Sequence, residues 1–153
     1  MIVLLAVDGS EPPEYFGRVA TLAPLRSADE VILAHVVDSG PRSDLEAGRD
    51  RFMMRRPLSP ERGTEIERAE RERALTALER ARQTLQDLEV SGERMRSVAL
   101  QGRPNEELRH LAERERVDLI VVRGRGGKPG PHSLGKTARY LVDHTPTAAL
   151  MVR

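Results

Sequence analysis

The apolar positions of this chain fall into short continuous runs separated by longer stretches of mixed character. Ile2 to Val7 is apolar throughout and stops at Asp8-Gly9-Ser10; Val31 to Val37 repeats the pattern around His35. Runs of this length without polar alternation predict strands buried on both faces, as in a parallel sheet. Between them Ser10 reads as a helix cap, Pro12 and Pro13 suit a first turn, and the helix should fade near Pro24. From Asp38 to Gly63 no period is sustained, and Pro, Arg, Ser and Gly dominate. This predicts a long surface loop or lid over 38–63, pinned locally by Phe52, Met53 and Met54. Thr64 to Leu88 then predicts a helix. Thr64-Glu-Ile-Glu67 has the capping-box spacing, and Leu78, Ala81, Leu85 and Leu88 make one stripe, with Glu and Arg on the other face. After Gly92 come a weaker strand (Met95 to Leu100), a helix opening at Gly102-Arg-Pro104 with Leu108, Leu111 and Ala112 inward, and a fourth strand (Val117 to Val122). A glycine-rich loop (Gly124 to Gly135), a last helix from about Lys136 to Asp143, and a fifth strand (Thr147 to Val152) complete the pattern. Strictly alternating strands and helices predict an α/β fold, with a parallel sheet covered by helices on both faces.

Composition narrows the function. The chain has 153 residues, one domain's worth, and its 25 basic and 24 acidic residues nearly cancel to a net charge of +1. That balance argues against a nucleic-acid clamp or a polybasic membrane anchor. No tryptophan and only two Phe and two Tyr leave little for base stacking. The absence of cysteine excludes disulfides, thiolate metal sites and thiol nucleophiles and fits a cytoplasmic protein. Met1 to Val7 is too short for a membrane span and lacks the basic flank of a signal peptide.

Two strand ends carry residues suited to chemistry. One is Val7-Asp8-Gly9-Ser10. The other runs from Val122 through Arg123 and five glycines to Thr137. Such a loop lets the backbone approach a ligand, and it feeds a helix N-terminus, where partial positive charge favours phosphate. The chain's only two lysines, Lys128 and Lys136, both lie in this loop. Gly130-Pro-His-Ser-Leu-Gly135-Lys136-Thr137 also matches the P-loop string, in which Lys136 would meet phosphate and Thr137 magnesium. The string begins several residues beyond its strand and lies at the fourth strand, leaving little chain for the metal-binding and switch elements such an NTPase needs. Asp8 has a plain structural use as a turn or helix cap. His35 reads as a structural histidine, His132 as a solvated loop residue, and His110 and His144 as exposed helix residues. No acid/base dyad, nucleophile elbow or zinc motif is evident.

Taken in order, these segments resemble the universal stress protein family over nearly the whole length. The resemblance rests on Ile2 to Ser10, His35-Val36-Val37-Asp38, Gly102-Arg-Pro104, Val117 to Val122, and the tail from Leu134-Gly135 through Tyr140-Leu141 and Pro146 to Leu150-Met-Val-Arg153. It implies a single Rossmann-like three-layer α/β/α domain over 1–153, with strand order 3-2-1-4-5. The two suspicious loops then face each other across one crevice. It also implies binding of ATP, with or without magnesium, or of another adenine nucleotide. The protein would act as a regulator or sensor with little or no hydrolysis. By resemblance, Ala6 and Val36 would meet the adenine with their backbones and Asp8 the ribose or adenine side, with Ser10 in the same turn. Gly124, Arg125, Gly127, Gly135, Lys136 and Thr137 would surround the phosphates. The nucleotide-binding branch of the family has nine residues between its second and third loop glycines and a hydroxyl residue after the third. Here Gly127 and Gly135 are separated by seven, and Lys136 follows. A shortened loop leaves two alternatives, a dimer acting through protein interactions without nucleotide and a P-loop-like NTPase. Strand order 3-2-1-4-5 also leaves the fifth strand at an edge without lysine or proline after Pro146, which predicts a homodimer through Thr147 to Val152.

Overall fold

The computed structural model describes residues 1–38, 60–124 and 135–153, with residues 60–63 described by their backbone alone. Five parallel strands stand in the order β3-β2-β1-β4-β5: β1 (Ile2–Ala6), β2 (Glu30–Asp38), β3 (Met95–Gly102), β4 (Leu119–Arg123) and β5 (Ala148–Val152). Four helices connect them among the described residues: α1 (Pro13–Leu22), α2 (Pro60–Asp87), α3 (Pro104–Arg114) and α4 (Lys136–His144). This is the predicted α/β architecture and order.

The side-chain alternation of the strands sorts the core into two layers. Val3, Leu5, Val31 and Leu33 face α1 and α2, where they pack with Tyr15, Phe16, Val19, Leu78, Ala81 and Leu85. Leu4, Ile32, Ala34, Ile120 and Val122 face α3 and α4, against Leu108, Leu111, Ala138 and Leu141. Both faces of β1 are therefore apolar, which is why its sequence shows no alternation. The N-terminal end of the sheet is pinned by Asp118, whose carboxylate accepts the Ile2 N–H at 2.7 Å, and by Asp29, which pairs with the Met1 ammonium.

Two helix starts differ from the sequence reading. α1 is not capped by Ser10: its N-cap is Pro12, without a side-chain hydrogen bond, and the Ser10 side chain is taken by Asp8. α2 begins at Pro60, so Thr64 lies inside the helix and the expected loop is shorter than 38–63. Pro60 supplies a fixed φ suited to a first turn, and the Glu- and Arg-rich stretch that follows has high helix propensity. Phe52, Met53 and Met54 lie outside the described residues.

Candidate functional site

The site forms where the sheet order reverses, between β1 and β4. β1 keeps its partner β2 to Ala6, opposite Ala34, and the Val7 N–H adds a last rung to the Ala34 carbonyl at 2.8 Å. The chain then turns away. Along a parallel strand, backbone groups alternate sides. Ala34 turns its groups toward β1, so Val36 turns its N–H and C=O the same way, past the end of β1. Among the described residues no backbone group stands opposite them, which leaves a donor and an acceptor at the mouth of a cleft.

The turn after β1 is held by short polar contacts. Asp8 Oδ1 accepts from the Ser10 N–H at 2.7 Å and from Ser10 Oγ at 2.6 Å. Gly9 has φ +85°, and a Cβ there would stand 3.2 Å from Ala77 Cβ of α2, so the position requires glycine twice over. The Glu11 carboxylate folds back to accept the N–H groups of Asp8 and Gly9. Burial pushes the Glu11 carboxyl above its ordinary range; its backbone donors pull it back, and the charge of Asp8 adds to the rise. From the far side of the reversal, Arg123 Nη1 donates to the Ser10 carbonyl at 2.9 Å and to Ser10 Oγ at 3.0 Å, with Asp8 Oδ2 at 3.9 Å. Arg123 thus ties the end of β4 to the loop after β1.

The third wall is the start of α4. The Gly124 N–H donates to the Val152 carbonyl at 2.9 Å, and the Gly135 N–H donates to the Gly124 carbonyl at 3.1 Å, which sets the helix start beside the end of β4. The first helical bond runs from Arg139 N–H to the Gly135 carbonyl at 3.0 Å. The N–H groups of Lys136, Thr137 and Ala138 therefore have no partner within the helix. No acidic residue lies in this first turn to offset its partial positive charge.

Together these walls enclose a cleft of about 290 Å³ on the α3–α4 face. Of the residues singled out from sequence, Ala6, Asp8, Val36, Gly135, Lys136 and Thr137 line it. Its floor is apolar (Ala34, Leu108, Val122, Ala138), and its rim carries a carboxylate, an ammonium and a guanidinium. Ser10 does not line the cleft; it braces Asp8 and Arg123 instead. Gly124 is buried and links β5 to α4 through its backbone. Arg125 and Gly127 lie outside the described residues, as do Lys128, His132 and most of the P-loop string. Sequence reasoning missed Arg123, Pro104 and Leu108. Arg123 was legible as the one charge directly ending the β4 run, whereas α3 reaches the cleft only through packing. His35 also lines it, and its buried Nδ1 has no hydrogen-bond partner among the described residues. Among the described residues no cluster of three or more metal-ligating His, Asp or Glu occurs, and no helix is long and apolar enough to cross a membrane.

The whole chain, residues 1–153, matches the model of the universal stress protein family. A universal stress protein of Thermus aquaticus, described as lying in the 3′ region of a QAH/OAS sulfhydrylase, is 29% identical over 153 residues, covering 99% of this chain and 97% of the relative. Among solved structures, the universal stress protein UspA from Lactobacillus plantarum superposes with a TM-score of 0.72 at 22% identity, over 100% of this chain and 97% of that one. A family member from Arabidopsis thaliana with AMP bound superposes with a TM-score of 0.60 at 18% identity, over 99% and 90% of the two chains. The match along the entire length, together with the shared sheet order, means that this chain belongs to the universal stress protein family.

Proposed function

We propose that the protein binds an adenine nucleotide in the cleft at the β1–β4 reversal and acts as a nucleotide-dependent regulator or sensor rather than as an efficient hydrolase. The observation that carries this reading is the convergence, around one cleft of about 290 Å³, of the Val36 backbone beyond the end of β1, the Asp8 carboxylate and the open N-terminus of α4 with Lys136. An adenine needs a flat apolar slot with a backbone donor and acceptor at its edge. Ala6, Ala34 and Leu108 offer the slot and Val36 the edge. A ribose needs a hydroxyl acceptor, which Asp8 supplies. A phosphate needs N–H groups and a cation, which the first turn of α4 and Lys136 supply. The AMP carried by the Arabidopsis thaliana relative supports the same ligand class. ATP fits this scheme as an AMP unit with its further phosphates beyond Lys136. The chain acts in the cytoplasm as one domain, and a homodimer through β5 completes the reading.

The test is calorimetric titration with ATP, AMP and adenosine, after denaturing a sample to detect co-purified nucleotide. Micromolar binding or carried-over nucleotide is expected. Lys136→Ala should weaken ATP by about 1–3 kcal/mol more than adenosine, because it removes a charged phosphate contact. Asp8→Ala should weaken all three ligands alike. No binding and no carried-over nucleotide would overturn the proposal and leave a dimer acting through protein contacts.

A further inference from the structure

Beside the nucleotide cleft, on the opposite face of the sheet, lies a second cavity of about 350 Å³ lined by Pro12, Glu14, Tyr15, Arg18, Arg123 and Arg153. Three guanidiniums meet there from three separate elements: Arg18 from the middle of α1, Arg123 from the end of β4, and Arg153 from just beyond β5. Glu14 is the one acidic side chain in the lining. Among the described residues neither Arg18 nor Arg153 is in an ion pair, whereas Arg123 hydrogen-bonds Ser10 and pairs with Asp8 at 3.9 Å. Three guanidiniums stand against two carboxylates, Glu14 in the lining and Asp8 beside Arg123, so the cavity keeps a surplus of positive charge. Guanidiniums lining one cavity repel one another, and an anion between them lowers that cost.

A second, independent observation marks the same place. Tyr15 is 2% exposed, and its hydroxyl is buried with no hydrogen-bond partner among the described residues. An orphaned buried hydroxyl is expensive, and a core position that needed only a ring would be filled as well by phenylalanine. Burial, then the carboxylates of Glu11 and Asp8, push the phenol well above its ordinary range against the smaller opposing pull of Arg123, so it remains a donor. The hydroxyl is sealed from solvent in this structure, so contact with a ligand requires the lining side chains to move. Gly124 contributes as well: a Cβ there would stand 3.2 Å from Arg153 Cγ, so the glycine leaves room for the arginine stem.

We infer that Arg18, Arg123, Arg153 and Tyr15 form a second anion site, distinct from the first turn of α4, that takes a tetrahedral phosphate-class anion. Planar, multi-donor guanidiniums suit phosphate oxygens, and the phenol adds a neutral donor. Arg123 belongs to both cavities, so the two sites share one side chain across the edge of the sheet. The anion is either free inorganic phosphate or the terminal phosphoryl group of a nucleotide. The existence of the site does not rest on the nucleotide reading.

The experiment titrates the nucleotide-free full chain with inorganic phosphate at low ionic strength, followed by calorimetry and by ³¹P line broadening. Arg18→Ala and Arg153→Ala each should weaken phosphate by about tenfold, since both remove an exposed charged donor without touching the core. Tyr15→Phe should weaken it by roughly threefold, and in phosphate-free buffer should raise the thermal midpoint, because the orphaned hydroxyl is gone. If the source is free phosphate, it binds alongside AMP, and Arg18→Ala leaves ATP and AMP affinities unchanged. If the source is a terminal phosphoryl group, ATP displaces phosphate, and Arg18→Ala weakens ATP but not AMP. Phosphate binding that is absent, that is unchanged in both arginine variants, or that is lost in Lys136→Ala instead would overturn the inference. AMP titration of the same samples reports separately on the nucleotide cleft.

Discussion

At the scale of single residues, the turn after β1 concentrates more constraint than any comparable stretch. Gly9 combines a left-handed backbone with an approach of 3.2 Å to Ala77, so Gly9→Ala should destabilise by about 1–2 kcal/mol from the backbone alone. Urea unfolding measures this, and a neutral result would mean that the turn relaxes freely. Glu11 gives the turn a pH dependence. Its carboxyl is raised from 4.5, so the folded chain holds that proton more tightly than the unfolded chain does. The associated stability is present below the usual value and is lost as pH rises through the folded one. The difference in unfolding free energy between the wild type and Glu11→Gln should therefore fall across that interval and be flat on either side. A difference that rises with pH would contradict burial as the dominant cause.

At the scale of elements, α2 shows how one sequence serves two environments. Leu78, Ala81 and Leu85 are buried against the sheet, whereas Leu75 is 52% exposed on the same helix. Leu85→Ala should cost about 2–5 kcal/mol, and Leu75→Ala should lie within about 0.5 kcal/mol of neutral. Chemical denaturation of both variants tests the orientation of the helix, and equal losses would contradict it. Arg82 fastens the end of α2 to the next strand, with 2.7 Å bonds to the carbonyls of Met95 and Gly92. The helix period was legible without coordinates because it follows from burying one stripe. The helix start was not. The spacing of Thr64 and Glu67 is compatible with a cap but does not compel one, and propensity carries the helix back to Pro60.

At the scale of the whole molecule, the edge strand β5 matters most for assembly. Val152 turns its backbone toward β4, as its carbonyl accepts the Gly124 N–H, so Met151 and Ala149 turn theirs outward. Met151→Pro removes an outward donor and leaves the rungs to β4. Under the proposed dimer it should shift sedimentation from dimer to monomer while the far-ultraviolet circular dichroism persists. A wild type that sediments as a monomer would contradict that assembly. The alternation of apolar runs and amphipathic stretches by itself determined the α/β class, the five strands and the inward faces of the helices, because burial imposes its period on the chain locally. It also marked Asp8 and Lys136, at a strand end and a helix start, whereas Val36 was singled out only by resemblance to the family. Only the tertiary structure decided that Ser10 braces Arg123 rather than capping α1, that α3 lends Pro104 and Leu108 to the cleft, and that Arg18, Arg123 and Arg153 share a cavity. These residues are up to 135 positions apart, and no local period records an encounter made by strands that cross over one another in the sheet.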